Sequence, residues 1–239
     1  MLFRKPGITD KPIEIFRIRD IALHFIQSIK ITSVSIYTNT ESEKIIVPLK
    51  GAVKFNELMA LEKDMIYIPM GISRLDLSLQ EGSIVYVLEA MSNTKYKPYL
   101  KRFGDAMFFD IGDERSRRRR YLLIGEEDAS SRFLAGYTHC CPGCWGSFPP
   151  HRHDDKYELF VYYDVEPGLG VQLIINDDHE EAYIVRDYDA VLVTRGYHPN
   201  VSTPVKGLKY LWVMIAMEGK RDFKMQLHPV YIDVVKQGS

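Results

Sequence analysis

The chain has 239 residues, 46% of them hydrophobic and 26% charged, with a formal net charge of −1 at pH 7. That length buries one large core or two small ones, and the composition is that of an ordinary globular protein. Near-neutrality excludes a global electrostatic case for nucleic acid or a membrane surface, and no apolar run approaches membrane-spanning length.

At the N-terminus, Pro6 interrupts the place where an apolar signal segment would begin, so a cytoplasmic protein is expected. Residues 13 to 38 then alternate apolar and polar side chains in β-branched runs such as Ile31 to Tyr37, the period of half-buried strands. Further strands are predicted at 44–47, 52–55, 65–68, 75–79 and 83–88, with one brief helix at 55–61. The second half repeats the theme at 119–124, 132–138, 159–163, 170–175, 181–185, 190–193 and 209–216. Many short strands separated by Gly and Pro predict an all-β sandwich or barrel. Asp64 to Gly71 matches Asp189 to Gly196, and Gly82 to Leu88 matches Gly207 to Val213 at the same offset. A constant offset predicts an internal duplication. We expect two similar β-barrels, residues 1–105 and 106–239, with the junction near Lys95 to Arg120.

The chemistry concentrates between Pro149 and Glu158. His151 and His153 share a face if they lie on one strand, whereas Glu158 has the wrong parity for it. Either 154–156 turns or bulges, or Glu158 comes from the next strand. His198, in the turn-like Gly196-Tyr197-His198-Pro199, completes three imidazoles and one carboxylate, a set suited to a borderline divalent metal with open positions. After the matching Gly71 come Ile72, Ser73 and Arg74, and the first half has no His-x-His, so only the second barrel is expected to hold a metal.

Other motifs read more plainly. Cys140, Cys141 and Cys144 form an odd local cluster, not a secreted disulfide framework. Cys141-Pro142-Gly143-Cys144 leads into a strand, where a redox motif would open a helix, so a turn with at most a reversible disulfide is expected. In the basic run Arg115 to Arg120, a solvated loop with one alternate arginine pointing into the barrel outweighs a nucleic-acid patch. His24, His139, His179 and His228 have no partners by pattern and are expected as surface or core histidines, and the tail from Lys220 to Ser239 is expected to pack across a barrel or a partner.

Trp145-Gly146-Ser147-Phe148-Pro149-Pro150-His151-Arg152-His153-Asp154, Gly168 to Gln172, Val191 to Pro199 and Tyr210 to Met214 together resemble the 5-deoxy-glucuronate isomerases of inositol catabolism, within the cupin superfamily. The short spacing from His153-Asp154 to Glu158 and the aromatic-rich strand after it are similar to the sister family, the 4-deoxy-L-threo-5-hexosulose-uronate isomerases of pectin breakdown. The resemblance runs from about Arg102 to Met217. It implies two tandem cupin barrels and an aldose–ketose isomerase acting on an open-chain deoxy uronic acid, 5-deoxy-glucuronate foremost. It also implies a divalent metal, zinc before manganese, iron or nickel, on His151, His153, Glu158 and His198. Departures are the short chain, Cys141 and Cys144 around Pro142-Gly143, and the absence of an insertion before Glu158.

Catalytic roles are expected for Glu158, for Tyr162 on the same strand face, and for Gln172 as a bond to a sugar hydroxyl. Lys156, Arg186, Arg195 and the 115–120 run compete to hold the substrate carboxylate, best done by a bidentate guanidinium. The expected partner is a small sugar acid, with no nucleic acid and no membrane, the chain forming a homo-oligomer. A cupin dioxygenase and a non-catalytic sugar-acid-binding bicupin are the rival readings.

Overall fold

Arg74–Leu79 shows how the alternating runs fold: Leu75, Leu77 and Leu79 are buried while Arg74, Asp76 and Ser78 face water. The same period recurs along the chain and yields antiparallel sheets almost throughout the computed structural model, which describes residues 1–217 and 221–232. Among these residues no helix is long and apolar enough to cross a membrane. The chain divides into two compact units. The first comprises Pro6–Met107 and Leu123–Phe133; the second comprises Met1–Lys5, Phe108–Leu122 and Leu134–Ser239.

In the first unit, strands Tyr99–Lys101, Met65–Ile68, Ser42–Lys50, Ile84–Met91, Ile21–Gln27 and Ile13–Ile18 lie side by side in that order. A smaller sheet orders Thr32–Tyr37, Arg74–Leu79, Val53–Phe55 and Leu58–Ala60. Ile26, Ile46, Val85 and Val87 from the larger sheet pack with Ile36, Val53, Leu75 and Leu77 from the smaller one, so the core fills the space between two sheets. The segment 55–61, expected as a brief helix, is instead a hairpin in which Phe55 pairs with Leu58. Asn56 takes a left-handed φ of 50°, which turns the chain back before a helical turn can form.

In the second unit the large sheet runs Leu2–Phe3, Ala190–Val193, Lys156–Tyr163, Leu208–Ala216, Phe133–Cys140, Arg118–Ile124 and Met107–Ile111. Trp145–Gly146, Asn200–Ser202, Gly170–Ile175 and Glu180–Val185 form its partner sheet. Phe160, Tyr162, Tyr210 and Trp212 meet Ile174 and Val185 between them. Among the described residues neither pair of sheets closes on itself, and the facing antiparallel sheets are consistent with a cupin-type architecture. From the described part of the C-terminal tail, Gln226–Leu227 pairs with His151–Arg152; Lys220 and residues 233–239 lie outside the described residues.

The central strands follow the same order in the two large sheets, and the edge strands differ. Lys44 pairs with Ile68 and Glu89, while Glu158 pairs with Val193 and Met214, and both partners are displaced along the chain by the same offset. Lys44 therefore occupies in the first unit the position of Glu158 in the second. Its buried ammonium donates to the carbonyls of Asn39, Ser42 and Ile72 at 2.6 to 2.8 Å, so a side-chain cation fills that place. Burial pulls the Lys44 pKa down to about 8, against the field of Glu89, which leaves it charged at neutral pH.

Glu89 is the acid anchor of this unit. Burial alone would raise its pKa, but contacts with His24, the Asn39 N–H and Arg17 outweigh that and hold it at about 2, against an ordinary 4.5. A depressed carboxylate contributes stability above its unfolded pKa and loses it as pH falls through the folded one, a difference here of about 3 kcal/mol. Urea unfolding at pH 7, 4 and 2.5 should show wild-type stability falling between pH 4.5 and 2. Glu89→Gln should be less stable at pH 7 with a flatter acid slope, and equal slopes would contradict this assignment.

Candidate metal centre

Glu158 comes from the next strand. His151–Arg152 ends before residues 154–155, and Lys156–Tyr163 begins a different sheet, which cancels the parity conflict. Tyr197 pairs with Ile175, and His198 follows it at the edge of the partner sheet. Gly196 makes this approach possible: its φ is 95°, and an added Cβ would sit 2.6 Å from the Asn176 amide oxygen. The structure brings His151, His153, Glu158 and His198 together, with one ligand atom from each all within 4.8 Å of one another. Among the described residues this is the one such cluster.

The protonation pattern follows from the neighbours. Each Nδ1 faces a backbone carbonyl, His151 to Pro149 at 2.9 Å, His153 to Lys224 at 2.8 Å and His198 to Gly196 at 3.0 Å. A carbonyl only accepts, so each Nδ1 carries a hydrogen, which leaves Nε2 as the atom each ring would offer a metal. The Nε2 of His198 is 2.8 Å and that of His153 is 3.5 Å from Glu158 Oε2. His198 Nε2 and Glu158 Oε2 are buried without a hydrogen-bond partner. A ring nitrogen and a carboxylate oxygen buried 2.8 Å apart without a hydrogen bond call for a positive charge, a proton or a metal ion, between or beside them. The residues therefore fit a divalent metal on their own geometry.

The local field agrees. Burial, then the neighbouring His198, pushes the His151 pKa down to about 3, so this ring stays neutral. Burial would raise the Glu158 pKa, but His198 and His153 outweigh it and hold the carboxyl well below the usual range. Burial works against a charge on His153, yet Glu158 overrides it and raises the pKa. Three imidazole nitrogens and one ionised carboxylate suit a borderline divalent ion with positions left for substrate.

Beside the cluster lies a cavity of about 220 Å³. His151, His153 and Glu158 line it, and four adjacent strands contribute alternate residues: Glu158 and Phe160; Tyr210, Trp212 and Met214; Thr138; Arg118 and Arg120. This is below the ~300–1,000 Å³ of drug-sized sites, so it suits one small molecule and not a polymer. Burial, then Cys140, raises the pKa of Tyr210, whose phenol stays protonated at the cavity wall.

The remaining expected site residues lie elsewhere. Tyr162 and Gln172 are fully buried and do not line the cavity. The Tyr162 hydroxyl donates to Gln172 Oε1 at 2.5 Å, and the Gln172 amide donates to the carbonyls of His198 and Pro199 at 2.9 and 3.1 Å. Lys156 is buried against Asp155 and Asp222. Arg195 is exposed and paired with Asp178, and Arg186 is exposed. Lys156 and Arg195 border a second cleft, behind His153, Glu158 and His198, too narrow for water. In the basic run, Arg118 and Arg120 reach the cavity while Arg119 turns outward to Asp110. The strand alternation already implied that split, although two arginines enter where one was expected. Cys141–Cys144 forms a tight turn, with the Cys144 N–H donating to the Cys141 carbonyl, and all three thiols are free.

The KduI/IolB family pattern matches residues 27–233. A 5-deoxy-glucuronate isomerase of Geobacillus kaustophilus is 33% identical over 108 residues, 41% of this chain and 39% of that protein. A 4-deoxy-L-threo-5-hexosulose-uronate ketol-isomerase of Lachnoclostridium phytofermentans is 24% identical over 161 residues, 64% of this chain and 58% of that protein. The matches thus span about two-fifths and under two-thirds of those curated relatives. The crystal structure of an IolB-like protein from Salmonella typhimurium superposes with a TM-score of 0.83 at 17% identity, covering 98% of both chains. An oxalate decarboxylase of Bacillus subtilis superposes at 0.61 with 11% identity, covering 84% of this chain and 70% of that one. These two likenesses concern the fold.

Proposed function

This chain belongs to the KduI/IolB family, and on that premise we propose that it is a metal-dependent aldose–ketose isomerase of an open-chain deoxy uronic acid. The observation that carries the reading is the pair of buried, unpartnered acceptors, Glu158 Oε2 and His198 Nε2, beside a cavity for one small molecule. We read each unit as a cupin barrel, the first with Lys44 in the metal's place and the second holding zinc on His151, His153, Glu158 and His198. A divalent cation there would polarise a sugar carbonyl and its neighbouring hydroxyl and favour loss of the intervening proton.

Atoms balance without a redox partner: the C2 hydrogen moves to the aldehyde carbon, the C2 hydroxyl proton moves to the aldehyde oxygen, C2 becomes the ketone and C1 the hydroxymethyl group. Glu158, held ionised, is suited to ligation and is a weak base. The Tyr210 hydroxyl is the cavity's proton-bearing donor to a substrate oxygen. We assign Tyr162 and Gln172 to positioning His198, since their polar atoms are spent on each other and on backbone carbonyls.

We propose 5-deoxy-glucuronate as substrate, converted to 5-dehydro-2-deoxy-gluconate, supported by the higher identity to that relative. The 4-deoxy-L-threo-5-hexosulose-uronate reaction is the second reading, favoured by the longer matched stretch. Zinc-loaded protein incubated with each acid should interconvert aldehyde and ketone NMR signals, with the larger kcat/KM for 5-deoxy-glucuronate. Turnover of the hexosulose-uronate alone would reverse the assignment, and turnover of neither would remove it.

A further inference from the structure

The cavity has two chemically different ends. Glu158 lies on Lys156–Tyr163, and Arg118 and Arg120 lie three strands away in the same sheet, on Arg118–Ile124. Three spacings of ~4.8 Å place the two strands roughly 14 Å apart, and side chains from both line the cavity between them. A six-carbon chain spans roughly 6 Å, five bonds of ~1.5 Å in zigzag. A hexonate chain therefore has the length to touch the metal cluster at one end and a guanidinium at the other.

Arg120 is built for an anion that the chain itself does not provide. Its Nε is buried without a hydrogen-bond partner. Among the described residues no carboxylate lies within ion-pair distance of it, whereas its neighbour Arg119 is paired with Asp110 at 2.7 Å. The guanidinium sits 5.5 Å from the Phe109 ring centre and 5.9 Å from that of Phe223, flanked by two aromatic rings. Arg118 is tied to the carbonyls of Ser116 and Phe148 at 2.8 and 2.5 Å, which anchors it at the cavity wall. Burial, then Arg118, lowers the Arg120 pKa, the cost of bringing two cations together without a counter-charge.

We propose that Arg120, supported by Arg118, is the carboxylate-binding subsite of this cavity and makes the site selective for acids over neutral sugars. The proposal rests on the isomerase reading only for the identity of the acid. A planar guanidinium between two rings offers a carboxylate parallel N–H donors, which a neutral hydroxymethyl group cannot use as well.

The test uses zinc-loaded full-length protein, Arg120→Gln and Arg120→Lys, checked for metal content and melting temperature. Arg120→Gln should raise KM for the uronate roughly 10- to 100-fold. It should retain wild-type metal content and leave turnover of the hydroxymethyl counterpart within about threefold, and Arg120→Lys should recover part of the loss. If the uronate KM stays at the wild-type value, the subsite is wrong while the isomerase reading stands. If wild type turns over neither acid, calorimetry with D-glucuronate decides. Binding lost in Arg120→Gln supports the subsite without the isomerase, and equal binding in both overturns it. Should Arg120→Gln fail to fold, the same comparison is made with Arg120→Lys, whose unchanged KM and unchanged D-glucuronate affinity would overturn the proposal.

Discussion

Replacing His198 by alanine should strip the metal from the protein and reduce isomerisation by more than about a hundredfold while leaving the sheets intact. His198 supplies one of four donors, and its Nε2 is 2.8 Å from the carboxylate that shares the site. Losing only an outer partner of a metal-bound histidine costs roughly 10–100-fold, so losing the donor itself costs more. The structural cost is small by comparison: one Nδ1–H bond to the Gly196 carbonyl, about 1 kcal/mol, and a void where the ring stood. The readout need not be activity. Metal at about a thousand times its Kd stabilises a folded protein by about 4 kcal/mol. Wild type should therefore melt higher with zinc than after chelation, and His198→Ala should melt at one temperature in both conditions. One metal per chain in the variant would remove His198 from the ligand set.

Gln172→Leu should have the second-largest effect, and a different one from that of a substrate contact. Gln172 is fully buried, and its amide group serves five partners: it accepts from Tyr162 and Asn200 and donates to the carbonyls of Leu173, His198 and Pro199. Leucine matches its size but removes these bonds, at about 1–3 kcal/mol for each group left unpaired where water cannot reach, while the Pro199 carbonyl keeps its bond from the Leu173 N–H. The backbone that follows the His198 side chain then loses part of its anchoring. We expect destabilisation of roughly 3–5 kcal/mol and metal affinity lowered by about 10–100-fold. Uronate KM should change little once the site is saturated with zinc. Were Gln172 instead to bond a sugar hydroxyl directly, KM would rise while metal affinity and melting temperature stayed nearly constant. Chelator-competition titration, urea unfolding and steady-state kinetics on one preparation separate the two outcomes.

What could be read from sequence was what local pattern encodes. Alternating runs such as Arg74–Leu79 and continuous apolar runs such as Ile84–Met91 declare their strands, because one or both faces must be buried. The short pieces Leu2–Phe3, Tyr99–Lys101 and Gln226–Leu227 carry no such period, and they become strands through partners far away in the chain. The stretch at 55–61 looked helical because its apolar spacing was compatible with one turn, and the left-handed Asn56 decided otherwise. The offset copies were also legible, and they led to Lys44 in the place of Glu158 once strand register was known. The ligand set was visible as residue types at suggestive spacings. Its electrostatic logic was not, since three backbone carbonyls fix the tautomers.

Charge neutralisation was the least legible part. Lys156 and Arg195 have the chemistry to hold an acid, but Asp155, Asp222 and Asp178 lie against them in the fold. Arg120 lacks a comparable carboxylate among the described residues and faces the cavity. Its two-residue spacing from Arg118, immediately before Tyr121-Leu122-Leu123-Ile124, was the available signal, because alternate residues of a strand share a face.

The most direct test of the central claim follows one sample of wild-type protein through metal removal and return. It is stripped with a chelator, assayed by NMR with 5-deoxy-glucuronate, reloaded with one equivalent of zinc and assayed again. The account predicts no interconversion of aldehyde and ketone signals in the stripped sample and full recovery on reloading, with one ion bound per chain. Uronate bound by the zinc-loaded protein with both signals unchanged would contradict it.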